Sequence, residues 1–267
     1  MLGLCAASYA QSVSTLIGAR QAGMGYASST SADEWSLFNN IGGIGKIKQH
    51  SVGFAYEAVP SLIGANRMAA VWNATTKWFN TGLGAFRFGD AIYSEQVLAA
   101  GIGNQFGTTS LGAKVNYIQY RAEGFGTHSA VSIDFGGITE LTKQLSIGAY
   151  ITNLTQASLA TRDGDRLATK LTIGLGITPS EKIFITTEIE KDLDYKPTWR
   201  TGLEYAIYKS VFVRTGFQFN PSTASFGLGY KKKNLKVDYA VRFNSLLGTT
   251  HQASAVYLIS KTSKEGK

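Results

Sequence analysis

The chain has 267 residues, carries a net charge of +8 and contains one cysteine and three histidines. A single cysteine excludes a disulfide framework and a thiolate metal site, and the absence of any run of roughly 18 apolar residues excludes a membrane-spanning helix. A basic pI of about 9.4 points to nucleic acid only beside a recognition element; no recognition helix, RNP-like motif or zinc spacing occurs, so no nucleic-acid partner is expected.

Residues 1–10 are short and apolar and end Ser8-Tyr9-Ala10 before Gln11, which reads as the remnant of a secretory signal without its basic start. The mature chain is expected from Gln11, so Cys5 is lost with the signal. Lipidation is not expected, because Leu4 stands where a lipoprotein site wants a small residue. Residues 11–50 are rich in Gly, Ser and Ala and lack a long strand pattern, which fits a compact plug folded into the remainder of the chain. Trp35, Leu37 and Phe38 would help fill a bore. Arg20 and Asp33 would anchor the plug to wall charges; alternatively, Asp33 caps a short helix beginning near Glu34.

From 51 to 260 the spacing predicts fourteen strands: 51–57, 65–73, 77–87, 96–106, 109–120, 127–136, 144–153, 168–178, 181–190, 198–206, 211–218, 223–231, 234–243 and 250–259. A polar tail, 261–267, ends the chain. A strand sends successive residues to opposite faces, and a barrel wall in lipid is greasy on one face only. Leu145, Ile147, Ala149 and Ile151 oppose Ser146, Gly148, Tyr150 and Thr152, and Leu171, Ile173, Leu175 and Ile177 oppose Thr172, Gly174, Gly176 and Thr178. Alternation alone also fits a soluble sandwich that buries its apolar face.

The connections add what the faces leave open. Odd links are long (120–127, 154–167, 191–197, 244–249) and even links are tight turns such as Gly107-Thr108, Pro179-Ser180 and Lys232-Lys233; link eleven, 220–222, breaks the rule. This is the pattern of a transmembrane antiparallel up-and-down β-barrel of about fourteen strands with a lumenal plug, its short turns periplasmic and its long links outside. The expected location is the bacterial outer membrane, among its lipids and lipopolysaccharide. Glycines inside strands (Gly82, Gly84, Gly101, Gly103, Gly174, Gly176, Gly227, Gly229) suit a wall that curves or is closely approached from inside. Trp199 and Tyr205 bracket Leu203 on one outward face, as rings at the two membrane interfaces would.

With the apolar faces outward, Lys114, Asp134, Lys170, Glu188, Glu190, Arg200, Glu204, Arg214, Lys236, Asp238 and Arg242 point inward. Confined charges are costly unless paired, and both signs occur on neighbouring strands, so a cross-strand network is expected rather than a solute-selecting ring. Lys231-Lys232-Lys233 falls at a periplasmic turn, where it is either solvated or attracted to anionic lipid head groups. Catalysis needs a nucleophile with a base in reach. His50, His128 and His251 lie at strand starts; Ser129 and Ser254 are nearby, but without a G-x-S-x-G setting or metal-ligand spacing. No enzymatic activity, metal or cofactor is expected.

Ala19-Arg20-Gln21-Ala22-Gly23-Met24-Gly25-Tyr26-Ala27, then Asp33, then Phe38-Asn39-Asn40-Ile41-Gly42-Gly43-Ile44 resembles the opening of the PorV/PorQ family, part of the FadL-like group of outer-membrane barrels. There an A-R-x-x-G-M-G-x-A stretch leads through an acidic position to N-P-A-G-L; here Ile41 replaces the proline and Gly42 the alanine. The resemblance implies fourteen strands, an N-terminal hatch in the lumen built on Arg20, Gly23, Met24, Gly25, Asp33, Asn40 and Gly43, and a non-catalytic role in type IX secretion with an outer-membrane or secreted protein partner. The alternative is a FadL-like channel that takes up a hydrophobic small molecule. Odd links with few apolar residues, Leu159, Leu246 and Leu247 among them, lack the large apolar loops of such channels, and this favours the secretion role.

Overall fold

Fourteen strands pair antiparallel, each with its sequence neighbours, and the first pairs with the last, so the sheet closes into a barrel. The computed structural model describes residues 13–158, 167–193, 195–245 and 247–259. The signal remnant 1–10 with Cys5, the tail 261–267, and Leu159 and Leu246 lie outside the described residues. One half of the wall is β1 (His50–Ala58), β2 (Arg67–Thr75), β3 (Asn80–Gly89), β4 (Tyr93–Phe106), β5 (Thr109–Ala122), β6 (Gly126–Glu140) and β7 (Leu145–Thr152). The other is β8 (Lys170–Ser180), β9 (Ile183–Asp192), β10 (Thr198–Tyr208), β11 (Val211–Phe219), β12 (Thr223–Lys232), β13 (Leu235–Asn244) and β14 (Gly248–Ile259).

Which face is buried decides between sandwich and membrane barrel. On β8 the exposed residues are Leu171, Ile173, Leu175 and Ile177, while Thr172, Gly174 and Gly176 are buried. Elsewhere Leu98 is 60 % and Leu228 59 % exposed, whereas Thr172 and Ser225 are fully buried. A soluble sandwich has the opposite polarity. Each large apolar side chain left in water forgoes roughly 1.5–3 kcal/mol, and here they line the whole outer wall, so the favourable surroundings of that wall are lipid. Trp199, Leu203 and Tyr205 all lie on this outer face.

Strand ends differ from expectation in one systematic way. β4 begins at Tyr93 rather than 96, β5 runs to Ala122 rather than 120, and β6 extends from Gly126 to Glu140. Apolar alternation marks the stretch of a strand that meets lipid, whereas backbone pairing continues past it, as in Tyr93 opposite Ala122 and Ala122 opposite Gly126. Links expected to be long therefore shrink to 90–92, 123–125 and 245–247, and marked length survives at 59–66, 153–169 and 193–197. Two turns also move. Thr178–Ser180 stays in β8 through an irregularity between Ile177 and Ser180, placing the turn at 181–182, and the lysine turn centres on 233–234.

Residues 13–46 run inside the barrel. They form a short helix α1 (Ala19–Gly23) against β11–β14 and a 3-10 turn, Ile41–Lys46, against β3–β6. Ile17, Trp35, Leu37, Phe38, Ile41 and Ile44 pack on inward Ala55, Ala69, Val71, Phe86, Val97 and Ile118. Glycine makes this possible: a Cβ on Gly84 would stand 2.7 Å from Phe38 Cζ, and one on Gly42 would stand 2.5 Å from the backbone of Gly137.

Two substitutions test the polarity of the wall. Leu228→Arg, at mid-strand on the outer face, is expected to cost about 2–4 kcal/mol. Leu228→Phe is expected to be near neutral. Urea unfolding in lipid bilayers measures both, and equal effects would contradict a lipid-facing exterior.

Candidate functional site

The inward charges meet the N-terminal segment in three clusters. In the first, Arg20 donates from Nε and Nη2 to the two oxygens of Glu204 on β10, both at 2.8 Å, and from Nη1 to Asp33 at 2.9 Å. Glu204 also receives Arg214 Nε at 2.5 Å, and Arg214 Nη1 reaches Asp238 at 2.7 Å. The chain Asp33–Arg20–Glu204–Arg214–Asp238 thus ties α1 to β10, β11 and β13, and Lys236 adds a bond to Glu34 at 2.7 Å. Asp33 does not itself reach the wall. Its carboxylate holds Arg20 and the Gln21 amide and accepts from Trp35 N–H, and the backbone after it forms a turn rather than the helix expected near Glu34.

A second cluster lies on β8–β10. Glu188 accepts the backbone N–H groups of Ser28 and Ser29 at 2.8 and 2.7 Å and, on its other oxygen, Arg200 Nη1 at 3.0 Å. Arg200 also bonds Glu190 at 3.0 Å, and Lys170 lies 3.7 Å from Glu190 and 3.9 Å from Asp192. Across the bore, Lys114 pairs with Asp134 at 3.1 Å and donates to Leu37 O at 2.8 Å. Glu204 and Arg214, Glu188 and Arg200, and Lys114 and Asp134 are direct register partners, so strand pairing alone brings opposite charges together.

The third cluster escaped the sequence reading. Tyr26 donates to Glu57 on β1 at 2.9 Å, Arg67 on β2 bonds the same carboxylate at 3.0 Å, and Arg67 also donates to Leu16 O at 2.7 Å and to Ser14 O. The signal was available, since Val52, Phe54 and Tyr56 face outward and the same parity turns Glu57 inward. Arg242, expected among the wall charges, instead stacks over the Tyr26 ring with its guanidinium carbon 4.5 Å from the centroid.

The remaining motif residues fit the wall closely. Gly25 adopts φ +66, and its Cβ position lies 3.1 Å from the backbone of Phe217; both features call for glycine. Gly23 lies against Gly227, buried Met24 against Gly202 and Gly216, and Gly43 against Ser31 and Ser36. Asn40 caps the 3-10 turn by accepting from Gly42 N–H at 2.9 Å and donates to Gly137 O at 3.1 Å.

Toward the odd links, a cavity of about 90 Å³ opens between the segment and the wall, bordered by apolar Val13, Leu16, Phe38, Val97, Ile118 and Leu167 and by polar or charged Asn116, Ser132, Asp134, Asn153, Lys170 and Glu190. The link tips above it are apolar: Ile63 is 96 % and Phe125 83 % exposed, with Leu62, Ile92, Leu154, Leu193 and Leu247 also exposed. This corrects the expectation of few apolar residues in the odd links, which rested on Leu159, Leu246 and Leu247 and overlooked one or two large residues on nearly every tip. Ser254 and His251 find other partners. Ser254 Oγ accepts from Ala19 N–H at 3.1 Å, and His251 bonds the Tyr239 hydroxyl at 2.7 Å. Among the described residues, no group of three or more His, Cys, Asp or Glu is placed to hold a metal ion.

No family model matches this chain, and no curated protein sequence does. The PorV/PorQ resemblance therefore rests on the residues quoted for it alone. Solved structures do match. The toluene transporter TodX of Pseudomonas putida superposes with a TM-score of 0.68 at 14% identity, over 93% of this chain and 100% of that one. A FadL homologue of Pseudomonas aeruginosa gives 0.67 at 11%, over 90% and 97%, and the Ralstonia pickettii toluene transporter TbuX 0.62 at 12%, over 92% and 98%. What is shared at these identities is the fold alone.

The Glu188 clamp is testable. Removing one partner of a buried ion pair costs about 3–5 kcal/mol, so Glu188→Leu should lower stability by that order and raise hydrogen exchange at the Ser28 and Ser29 amides. Unchanged exchange at those amides would show that the carboxylate does not hold them.

Proposed function

We propose that this chain is an outer-membrane channel that captures small hydrophobic molecules at its odd-link end, with residues 13–46 as its internal hatch. The observation that carries this reading is the crown of exposed apolar tips at the odd-link end, above a cavity of mixed lining to which Phe38, Val97, Ile118 and Leu167 give an apolar part. Side chains such as Ile63 and Phe125 offer an apolar solute a first place to leave water, at roughly 25 cal/mol per Å² of surface removed. Below them the 90 Å³ cavity is smaller than the ~150 Å³ engineered space that admits benzene. Entry therefore requires the stretch around Val13 and Leu16 to shift.

The anchoring of the hatch makes such a shift selective. Its ion pairs reach β6, β10 and β13 (Lys46–Glu140, Arg20–Glu204 and Glu34–Lys236). The stretch that must shift is held by Arg67, which donates to Leu16 O, and by Glu95, which accepts from Val13 N–H, while Phe38 meets Phe86 and borders the cavity beside Val97 and Ile118. A hydrophobic solute competes with the packing around Phe38, and a shift at Val13 and Leu16 also releases their bonds to Glu95 and Arg67 while the Arg20–Glu204 and Glu188 bonds hold the rest of the segment. The structural neighbours named as toluene transporters support this reading.

A second reading comes from the PorV/PorQ resemblance: a component of a type IX secretion assembly that docks a protein partner. Its supporting observation is that Ile63 and Phe125 are almost wholly exposed, apolar surface that a protein partner would cover.

One experiment separates the two. Purified barrel titrated with radiolabelled toluene and with a long-chain fatty acid should bind one of them saturably, and Ile118→Ser with Leu167→Ser should weaken that binding about tenfold through lost apolar contact. Non-saturable partitioning identical in the variant contradicts the channel. A stable protein partner recovered from the native membrane in mild detergent, lost on Ile63→Ser with Phe125→Ser, supports the secretion reading instead.

A further inference from the structure

Exposed lysines gather on one rim of the barrel. Five of the six even links expose a lysine: Lys77 in 76–79, Lys143 in 141–144, Lys182 in 181–182, Lys209 in 209–210 and Lys233 in 233–234. Lys231 and Lys232 flank the last of these, and Lys48 leads into β1; all are exposed. The other lysines of this rim are already matched, Lys46 by Glu140 and Lys236 by Glu34. Among the described residues that leaves eight lysines against Glu181, a balance of +7 where the whole chain carries +8. At the opposite rim, among the described residues, Arg87, Arg121, Lys191 and Lys196 stand against Asp90 and Glu123, a balance of +2, and Lys191 is bonded to Tyr195 O.

Neighbouring strands lie about 4.8 Å apart, which spaces successive even links roughly 10 Å along the rim. That exceeds the screening length of about 8 Å at physiological ionic strength, so neighbouring lysines repel one another only weakly and each is free to take its own anion. The residues between them identify the surroundings. Trp78 is 80 % and Tyr208 73 % exposed, and Phe79 and Leu141 are exposed beside them. Aromatic side chains next to lysine, at the edge of a lipid-facing belt, are the composition of a membrane interface. The lysines also track the circumference rather than one face, so each reaches a separate small anion more readily than all reach a single acidic protein.

We propose that the even-link rim binds the phosphate head groups of anionic phospholipids in the leaflet it faces, which for short turns is the periplasmic one. The ring of lysines, with Trp78 and Tyr208 between, holds an annulus of acidic lipid and fixes the depth of the barrel.

The test is lipid retention by the full chain in nanodiscs of equal parts phosphatidylcholine and phosphatidylglycerol, counted by native mass spectrometry. Wild type should retain phosphatidylglycerol preferentially, and the variant with Lys77, Lys143, Lys182, Lys209 and Lys233 changed to Gln should lose about tenfold of that preference. The wild-type preference should also fade near 1 M salt, where the screening length is about 3 Å; this readout holds even where the variant fails to fold. Arg87→Gln with Arg121→Gln should change nothing. Equal retention by wild type and the lysine variant, an equal loss in the arginine variant, or displacement of the lipid by soluble polyglutamate would each overturn the proposal, the last in favour of an acidic macromolecule.

Discussion

A sheet that closes on itself in lipid must be apolar around its whole circumference, and the rest of this structure is the consequence of meeting that constraint. Strand alternation has two faces only. Once Leu98, Leu171 and Leu228 are committed outward, charges on the opposite parity within the belt, such as Lys114, Glu188 or Arg214, are committed to a narrow bore. There it is stable only when paired. The pairing is built into the register: Glu188 lies opposite Arg200, Glu204 opposite Arg214 and Lys114 opposite Asp134.

Wall pairing alone does not satisfy these groups, and the N-terminal segment supplies the remaining partners. Arg20 completes Glu204, the Ser28 and Ser29 amides complete Glu188, and Tyr26 shares Glu57 with Arg67. In return the wall provides room where backbone meets backbone, at Gly216 under Met24 and Gly137 under Gly42. The interior is therefore two-sided. Carboxylate–arginine pairs crowd β9–β13, while the apolar contact of Phe38 with Phe86, Val97 and Ile118 on β3–β5 is joined by Lys114, which donates to Leu37 O.

Much of the architecture was legible in the sequence because the membrane imposes a period of two that residues such as Leu171 to Thr178 display without ambiguity. The fourteen strands and their facing came from it. Strand ends did not, because the pairing of Tyr93 with Ala122 lies beyond the apolar belt that generates the signal. The site was legible in composition but not in connection. Arg20 and Glu204 are both visible as charges, yet nothing local shows that one reaches the other across 184 positions. Glu57 and Arg67 were within reach of the same parity argument and escaped it at strand ends. The apolar crown was hidden because Ile63, Ile92 and Phe125 are single residues in separate links and become a surface only when the barrel gathers them.

The most direct test of a bore filled by its own leading segment is ion current through the purified barrel in a planar lipid bilayer. Wild type should carry no steady conductance, and Arg20→Ala combined with Glu188→Ala should produce one while the strands remain folded. A steady porin-like current in the wild type would contradict it.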